Sequence, residues 1–385
     1  MSIELELTGM TPGGDAIGRH EGMVIFVPFG LPGETVEVEL SEQRRNFARG
    51  RIVRVLHASP DRVSPACRHF GICGGCQWQQ IDYAAQLRFK TEIVREQLIR
   101  IGKFDQPPVL ECIASSQAYH YRNHARLAVA PSGRLGYRAL ASHTVVEIAE
   151  CPILEEGLAL QLEAQPKRRE RLQPPSSTKP NEQELRWPGA TIGVGAYDYA
   201  VSPGSFFQAN TQIAAKMVDL VLEALQLTGQ EAVMDLYCGV GLFSLPIAQR
   251  AASLIGVEAN SVAAADAERN LATLNQQRSG CARVIAEPVA KALQRTVVTK
   301  QQWDAIVLDP PRAGVDEPAL QRMIALHSPL IVYISCDPAT LARDLRKLVD
   351  AGYHLLSAQP LDMFPQTSHV ETCCVLRKAP SPTEK

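Results

Sequence analysis

The sequence predicts an α/β protein: a doubly wound, mostly parallel sheet in the C-terminal part, preceded by a small antiparallel barrel and a small mixed domain. Three observations carry this. From about Ala232 onward short apolar runs alternate with helical patterns, the order that builds a parallel sheet covered on both faces. Residues 3–57 instead alternate apolar and polar positions in short runs broken by glycine and proline. Between the two lies a glycine-studded loop with three clustered cysteines, Cys67, Cys73 and Cys76. A chain of 385 residues also exceeds the roughly 250 at which one core stops growing, so several domains are expected.

The barrel runs are residues 3–7, 23–28, 35–40 and 50–56, with turns at Pro12-Gly13-Gly14 and Pro32-Gly33. Its basic stretch, Arg44, Arg45, Arg49, Arg51 and Arg54 around Phe47, suits phosphates and a stacked base. Residues 83–101 repeat apolar side chains at three and four positions and predict an amphipathic helix. A strand-rich stretch follows from 119 to 150, where Arg122, Arg126, Arg134 and Arg138 interleave with Tyr119, Tyr121 and Tyr137 and suggest a second basic, aromatic face. Residues 165–184, rich in charge, Pro and Ser, read as an exposed linker.

A net charge of −2 argues against a uniformly basic nucleic-acid binder, so any such role rests on these local patches. No apolar run approaches the roughly 20 residues that span a bilayer. The start lacks the basic and apolar segments of a secretory signal, and a cytoplasmic location without membrane partners is expected. Ten cysteines are too sparse for a disulfide framework and suit metal ligands, catalytic thiols or core positions.

In the C-terminal part the expected strands cover 232–237, 254–258, 283–286, 305–308 and 330–334, with helices starting at Leu242, Ala263 and Ala339. The ligand of such a sheet lies beyond the carboxyl ends of its strands. Asp235-Leu-Tyr-Cys-Gly-Val-Gly follows the first strand, and Gly239 and Gly241 let a ligand approach the backbone. The second strand ends at Glu258, which can accept hydrogen bonds from both hydroxyls of a ribose. A dinucleotide loop would carry a third glycine where Ser244 stands, and Asp235 suits a cationic sulfonium better than a pyrophosphate. The expected cofactor is therefore S-adenosylmethionine.

Two further strand ends carry Asp309-Pro-Pro-Arg-Ala-Gly and Ser335-Cys336-Asp-Pro. Carbon 5 of uracil is a poor nucleophile until a thiolate adds to carbon 6, a task for which Cys336 is placed. A base must then remove the carbon 5 proton, and Glu371 is the candidate. A competing amino-group methylation would want an aromatic residue after Asp-Pro-Pro, where Arg312 stands. Cytosine enzymes of the thiol type usually carry a Pro-Cys cysteine that the 309–312 stretch lacks. A non-catalytic RNA-binding protein with an iron-sulfur sensor is the rival of another class; it would not need Glu258, Cys336 and Glu371. The triad Cys67, Cys73 and Cys76, with Cys151 as a distant fourth ligand, fits either a tetrahedral zinc or a four-iron cluster.

Taken in order, these motifs resemble the RNA uridine-5 methyltransferases, the TRAM-domain and iron-sulfur group acting on 23S ribosomal or transfer RNA, across essentially the whole chain. The resemblance implies a Rossmann-like methyltransferase sheet, an OB-like TRAM barrel that binds RNA, and a four-iron, four-sulfur cluster on Cys67, Cys73, Cys76 and Cys151, zinc being the alternative. It implies cofactor roles for Gln208, in Ser-Phe-Phe-Gln, and for Tyr237, Glu258 and Asp309, with Cys336 as nucleophile and Glu371 as proton acceptor. It also implies three domains: a barrel over 1–58, a middle iron-sulfur domain over 59–78 and 115–200, and a catalytic domain over 79–114 and 201–385. The expected reaction is methylation of carbon 5 of one uridine, in 23S ribosomal RNA, with position 54 of transfer RNA as the alternative. Two departures from the family pattern touch the cofactor: Ala286-Glu287-Pro288 replaces a Gly-Asp-like turn, and Leu242 stands where some members have Asn.

Overall fold

Alternation in the first sixty residues closes into a barrel of five strands, β1 (Ser2–Met10), β2 (Ala16–His20), β3 (Met23–Val27), β4 (Thr35–Gln43) and β5 (Phe47–His57), in the order β1-β2-β3-β5-β4. Leu5, Leu7, Ile25, Val27, Val36 and Val38 fill it, as period-two alternation requires. One strand, β2, escaped the sequence reading because its inward positions are Ala16 and Gly18, too small to register as an apolar run. Gly18 is needed there: a Cβ would lie 2.3 Å from the Glu6 carbonyl oxygen.

The computed structural model describes residues 2–140, 142–163, 182–186, 191–278 and 280–379. They form two compact units, the first comprising Met1–Ile93, Ser116–Arg186 and Phe364–His369, the second Val94–Ser115, Trp187–Met363 and Val370–Lys385. The unit boundary falls inside α1 (Tyr83–Arg100): Ala85, Phe89 and Ile93 belong to the barrel core with Trp78 and Ile81, whereas Val94 and Leu98 belong to the core of the second unit.

The first unit also holds β6 (His124–Val129), β7 (Leu135–Arg138), β8 (Val145–Glu147), α2 (Glu156–Glu163) and β9 (Glu182–Arg186), the strands forming a sheet in the order β8-β7-β6-β9. Strand β9 begins inside the stretch read as a linker; residues 165–181 of that stretch lie outside the described residues. Tyr121, Leu127, Leu135, Ile153, Leu154 and Leu158 make its core. Tyr121 is thus an interior residue, its hydroxyl donating to the Pro365 carbonyl at 3.1 Å, and the aromatic face expected at this sheet is reduced accordingly.

The second unit opens with a hairpin, β10 (Thr191–Val194) and β11 (Tyr197–Ala200), and α3 (Thr211–Leu225). There follow β12 (Ala232–Leu236), α4 (Ser244–Ala248), β13 (Ser253–Glu258), α5 (Ser261–Gln277), β14 (Ala282–Ala286), α6 (Val289–Ala292), α7 (Thr296–Thr299), β15 (Ala305–Leu308), α8 (Glu317–Ala325), β16 (Leu330–Ser335), α9 (Pro338–Asp350), β17 (Tyr353–Leu361) and β18 (Glu371–Lys378). The sheet order is β14-β13-β12-β15-β16-β18-β17, so the chain reverses direction of travel across the sheet between β12 and β15. The first five strands run parallel, β18 pairs antiparallel with both β16 and β17, and β17 therefore points the same way as the first five. Strand β16 is buried along its full length, as a parallel strand covered on both faces must be. Among the described residues no helix is long and apolar enough to cross a membrane.

Candidate active site

The sheet brings the candidate residues to one edge. Asp235 is the next-to-last residue of β12, Glu258 ends β13, Asp309 follows β15 and Cys336 follows β16. Glu371 starts β18 next to β16, whose antiparallel register pairs Ser335 with Thr372 and so sets Cys336 and Glu371 opposite one another. The pairing explains why residues 35 positions apart in sequence meet: an antiparallel neighbour begins where a parallel strand ends.

Asp235 is fully buried; its Oδ2 accepts from the Ser244 hydroxyl at 2.5 Å, and its Oδ1 has no hydrogen-bond partner among the described residues. Burial first, then the charges of Asp309 and Glu258, push its carboxyl up to about 7. Ser244, which removed the dinucleotide reading, thus serves to anchor this carboxylate. Tyr237 takes φ 61°, uncommon for a residue with a side chain, and starts a left-handed turn continued by Gly239 at 57°. Its hydroxyl is buried and without a partner among the described residues. Glu258 accepts from the Gly239 N–H at 2.9 Å and the Asn260 N–H at 2.7 Å, which ties the first and second strand ends together.

Gln208 is buried and donates through Nε2 to Asp309 at 3.3 Å. The loop that carries it is held by the buried Asp266 of α5, which accepts from the Ser202 N–H and from the hydroxyls of Ser202 and Ser205 at 2.6–2.8 Å. Sequence reasoning missed Asp266; its only signal is an acid in phase with the apolar face of α5.

Asp309 and Glu371 both have carboxyls raised by burial, Glu371 additionally by Asp309, while the Arg312 guanidinium pulls Glu371 the other way. Glu371 Oε2 has no partner among the described residues. Burial pushes the half-buried Cys336 thiol up to about 12; Glu371 and Asp309 add to this and Arg312 opposes it. In this arrangement a proton on either carboxyl removes a repulsion and eases formation of the thiolate. Arg312, noted in sequence only where an aromatic would stand, is a cation close to these groups. After the third strand, Glu287 is engaged by Arg295 and Lys291 at 2.7 and 3.0 Å.

In the first unit Cys67, Cys73, Cys76 and Cys151 line one small pocket together with His69, Gln79 and Tyr137. Burial raises the thiols of Cys73, Cys76 and Cys151, the second to about 12 and the third to about 11. Among the described residues no three His, Cys, Asp or Glu side chains are gathered as a single metal ion requires. His69 Nε2 and the Tyr137 hydroxyl, both on this pocket, are buried without partners among the described residues. On the barrel, four of the five arginines expected to meet phosphates are ion-paired: Arg51 with Glu39 and Arg54 with Glu37 across β4 and β5, Arg49 with Asp15 of the turn before β2, and Arg44 with its chain neighbour Glu42.

Residues 190–379 match the tRNA (Uracil-5-)-methyltransferase family profile, and residues 2–53 match the TRAM domain. An uncharacterized RNA methyltransferase of Halalkalibacterium halodurans is 32% identical over 97% of this chain and 96% of its own. The 23S rRNA (uracil(1939)-C(5))-methyltransferase RlmD of Shewanella halifaxensis is 32% identical, over 96% and 94%. The fold is that of the Pyrococcus abyssi tRNA (uracil-54, C5)-methyltransferase in complex with S-adenosyl-L-homocysteine, with a TM-score of 0.71 at 24% identity, covering 97% of this chain and 100% of that one.

Proposed function

The chain belongs to the S-adenosylmethionine-dependent RNA (uracil-5-)-methyltransferase family, and we propose that its substrate is one uridine of 23S ribosomal RNA, methylated through a covalent adduct on Cys336. The observation that carries the chemistry is the facing pair Cys336 and Glu371 beside Asp309. The Cys336 sulfur adds to carbon 6 of the uracil, and carbon 5 takes the methyl group of the sulfonium. Glu371 then removes the carbon 5 proton, the electron pair reforms the 5,6 double bond and the thiolate leaves. A carboxyl buried and raised like that of Glu371 is basic enough for this work near neutral pH.

For the cofactor, Glu258 holds the ribose hydroxyls, while Asp235 and Asp309 provide negative charge toward the sulfonium; Gln208 orients Asp309 through their hydrogen bond. Tyr237 contributes through the turn its left-handed backbone starts rather than through its buried hydroxyl. The 23S assignment follows RlmD relatives such as that of Shewanella halifaxensis, and the transfer RNA alternative follows the family profile's description. Incubating the protein with labelled methyl donor and total RNA from a strain lacking the gene separates them. Label in 5-methyluridine of 23S RNA supports the proposal; label in transfer RNA replaces the substrate, and label in another nucleoside overturns the reaction.

We further propose that Cys67, Cys73, Cys76 and Cys151 hold a four-iron, four-sulfur cluster. A tetrahedral zinc with bonds of about 2.3 Å needs sulfurs about 4 Å apart, whereas a cluster gives each thiolate its own iron. The pocket's two unpartnered polar groups, His69 Nε2 and the Tyr137 hydroxyl, fit a group rich in sulfur acceptors. Bound there, the cluster would supply a covalent tie between residues 67–76 and Cys151, and one-electron chemistry. The division into a barrel over 1–58, a middle domain over 59–78 and 115–200, and a catalytic domain over 79–114 and 201–385 belongs to the same reading, as does action on RNA in the cytoplasm.

A further inference from the structure

Helix α9 carries an aspartate where its periodicity calls for an apolar residue. Asp344 is fully buried among Leu341, Leu345 and Leu348 of the same face. Its Oδ2 accepts from the Tyr333 hydroxyl at 2.8 Å and the Val315 N–H at 2.9 Å, and its Oδ1 accepts from Arg343 Nε at 2.8 Å. Arg343 in turn donates to the Ala313 carbonyl at 2.9 Å, and the Thr340 hydroxyl donates to the Arg312 carbonyl at 3.0 Å. Gly314 adopts φ +75°, and a Cβ there would stand 2.5 Å from both the Arg343 guanidinium and the Asp344 carboxylate. Residues 312–315 are thus fastened to α9 at successive positions, without slack for a side chain. The same helix begins at Pro338, two residues after Cys336, and is capped by Asp337.

We infer that Asp344, with Arg343, is a positioning device that fixes the 312–315 loop against the start of α9, and so holds the Arg312 guanidinium beside Cys336 and Glu371. Arg312 is exposed, and among the described residues no hydrogen bond anchors its guanidinium, so the fastening of its loop sets where its charge sits. This rests on the reading of Cys336 as the nucleophile. Asp344 touches no reacting atom, and its effect passes through Arg312, whose charge opposes the repulsion on the Cys336 thiol.

The test uses the full chain with Asp344→Asn, which keeps the shape and one acceptor but drops the charge that holds Arg343, and with Arg343→Gln, whose half-exposed side chain leaves the core intact. Alkylation of Cys336 by iodoacetamide is followed against pH by peptide mass spectrometry, alongside kcat, KM and S-adenosylmethionine affinity. The expected result is an alkaline shift of the Cys336 alkylation midpoint in both variants, with kcat down about tenfold or more, KM nearly unchanged and cofactor affinity retained. An unmoved alkylation midpoint in a folded Arg343→Gln protein overturns the inference, whatever happens to kcat, since a merely structural role would lower activity without moving the thiol. If Asp344→Asn fails to fold, Arg343→Gln decides alone. Failure of the nucleophile reading is separate: it shows as methylation that persists in Cys336→Ala.

Discussion

At the scale of single residues, the site is a set of carboxyls held where water would not leave them. Asp235, Asp309 and Glu371 are all raised by burial, so their protons are held more tightly in the folded chain than in the unfolded one. For such groups the sign is fixed: their contribution to stability is complete below about pH 4, the unfolded value, and is lost as pH rises through the folded value, about 7 for Asp235. Thermal melts of the cofactor-free protein should therefore show a fall in stability between pH 5 and pH 8. Asp235→Asn should flatten that fall, and S-adenosylmethionine, a cation, should protect more at pH 8 than at pH 5; a melting temperature indifferent to all three would refute it. Glu371→Gln should stall the reaction after methyl transfer, because the carbon 5 proton has no acceptor, so a protein–RNA adduct accumulates on denaturing gels while turnover drops by about 10² or more. The strand-end places of Glu258 and Cys336 were legible in sequence because apolar runs mark where parallel strands stop, whereas Glu371 was picked out by residue type alone. Arg312, Asp266 and Asp344 were not, because their roles exist only once loops and helices from distant sequence are packed together.

The elements show where pattern succeeds and where it fails. The parallel strands were legible because buried parallel strands are continuous apolar runs, and α1 because its apolar residues recur three and four apart, although Gln86, Lys90 and Gln97 share its buried side. Strand β2 was hidden by Gly18, and the β17–β18 hairpin was not anticipated as part of the main sheet, although it brings Glu371 to Cys336. A strand's partner is a long-range fact that local alternation does not carry. The basic stretch of β5 was read correctly as basic but not as paired: Glu37 and Glu39 of β4 lie across from Arg54 and Arg51. Such exposed pairs contribute about 0–1 kcal/mol each, so phosphates can displace them. Glu37→Gln with Glu39→Gln should accordingly tighten RNA binding a few-fold at low salt, with a steeper salt dependence; equal affinity of parent and variant would show that the arginines of β5 do not meet the RNA.

For the whole molecule, one sheet edge gathers the candidate site residues of the second unit, while the first contains a TRAM barrel and a pocket lined by four cysteines. Cys151 joins the other three cysteines only through the fold. Anaerobically purified protein should carry about four irons per chain and absorb in the visible. Tyr137→Phe should keep the iron but shift the midpoint potential negative, by removing a donor to the cluster. Stoichiometric zinc without iron would end that reading and leave the methylation mechanism standing. The mechanism itself is tested most directly with RNA in which 5-fluorouridine replaces uridine, mixed with the protein and S-adenosylmethionine. Fluorine on carbon 5 cannot leave as a proton does, so elimination of the enzyme is blocked after methyl transfer. The account predicts a denaturant-stable protein–RNA complex whose cross-linked peptide contains Cys336, absent in Cys336→Ala, which also loses at least about 10³ in rate on normal RNA. Methylation without any such complex, or a complex formed through another cysteine, would contradict it.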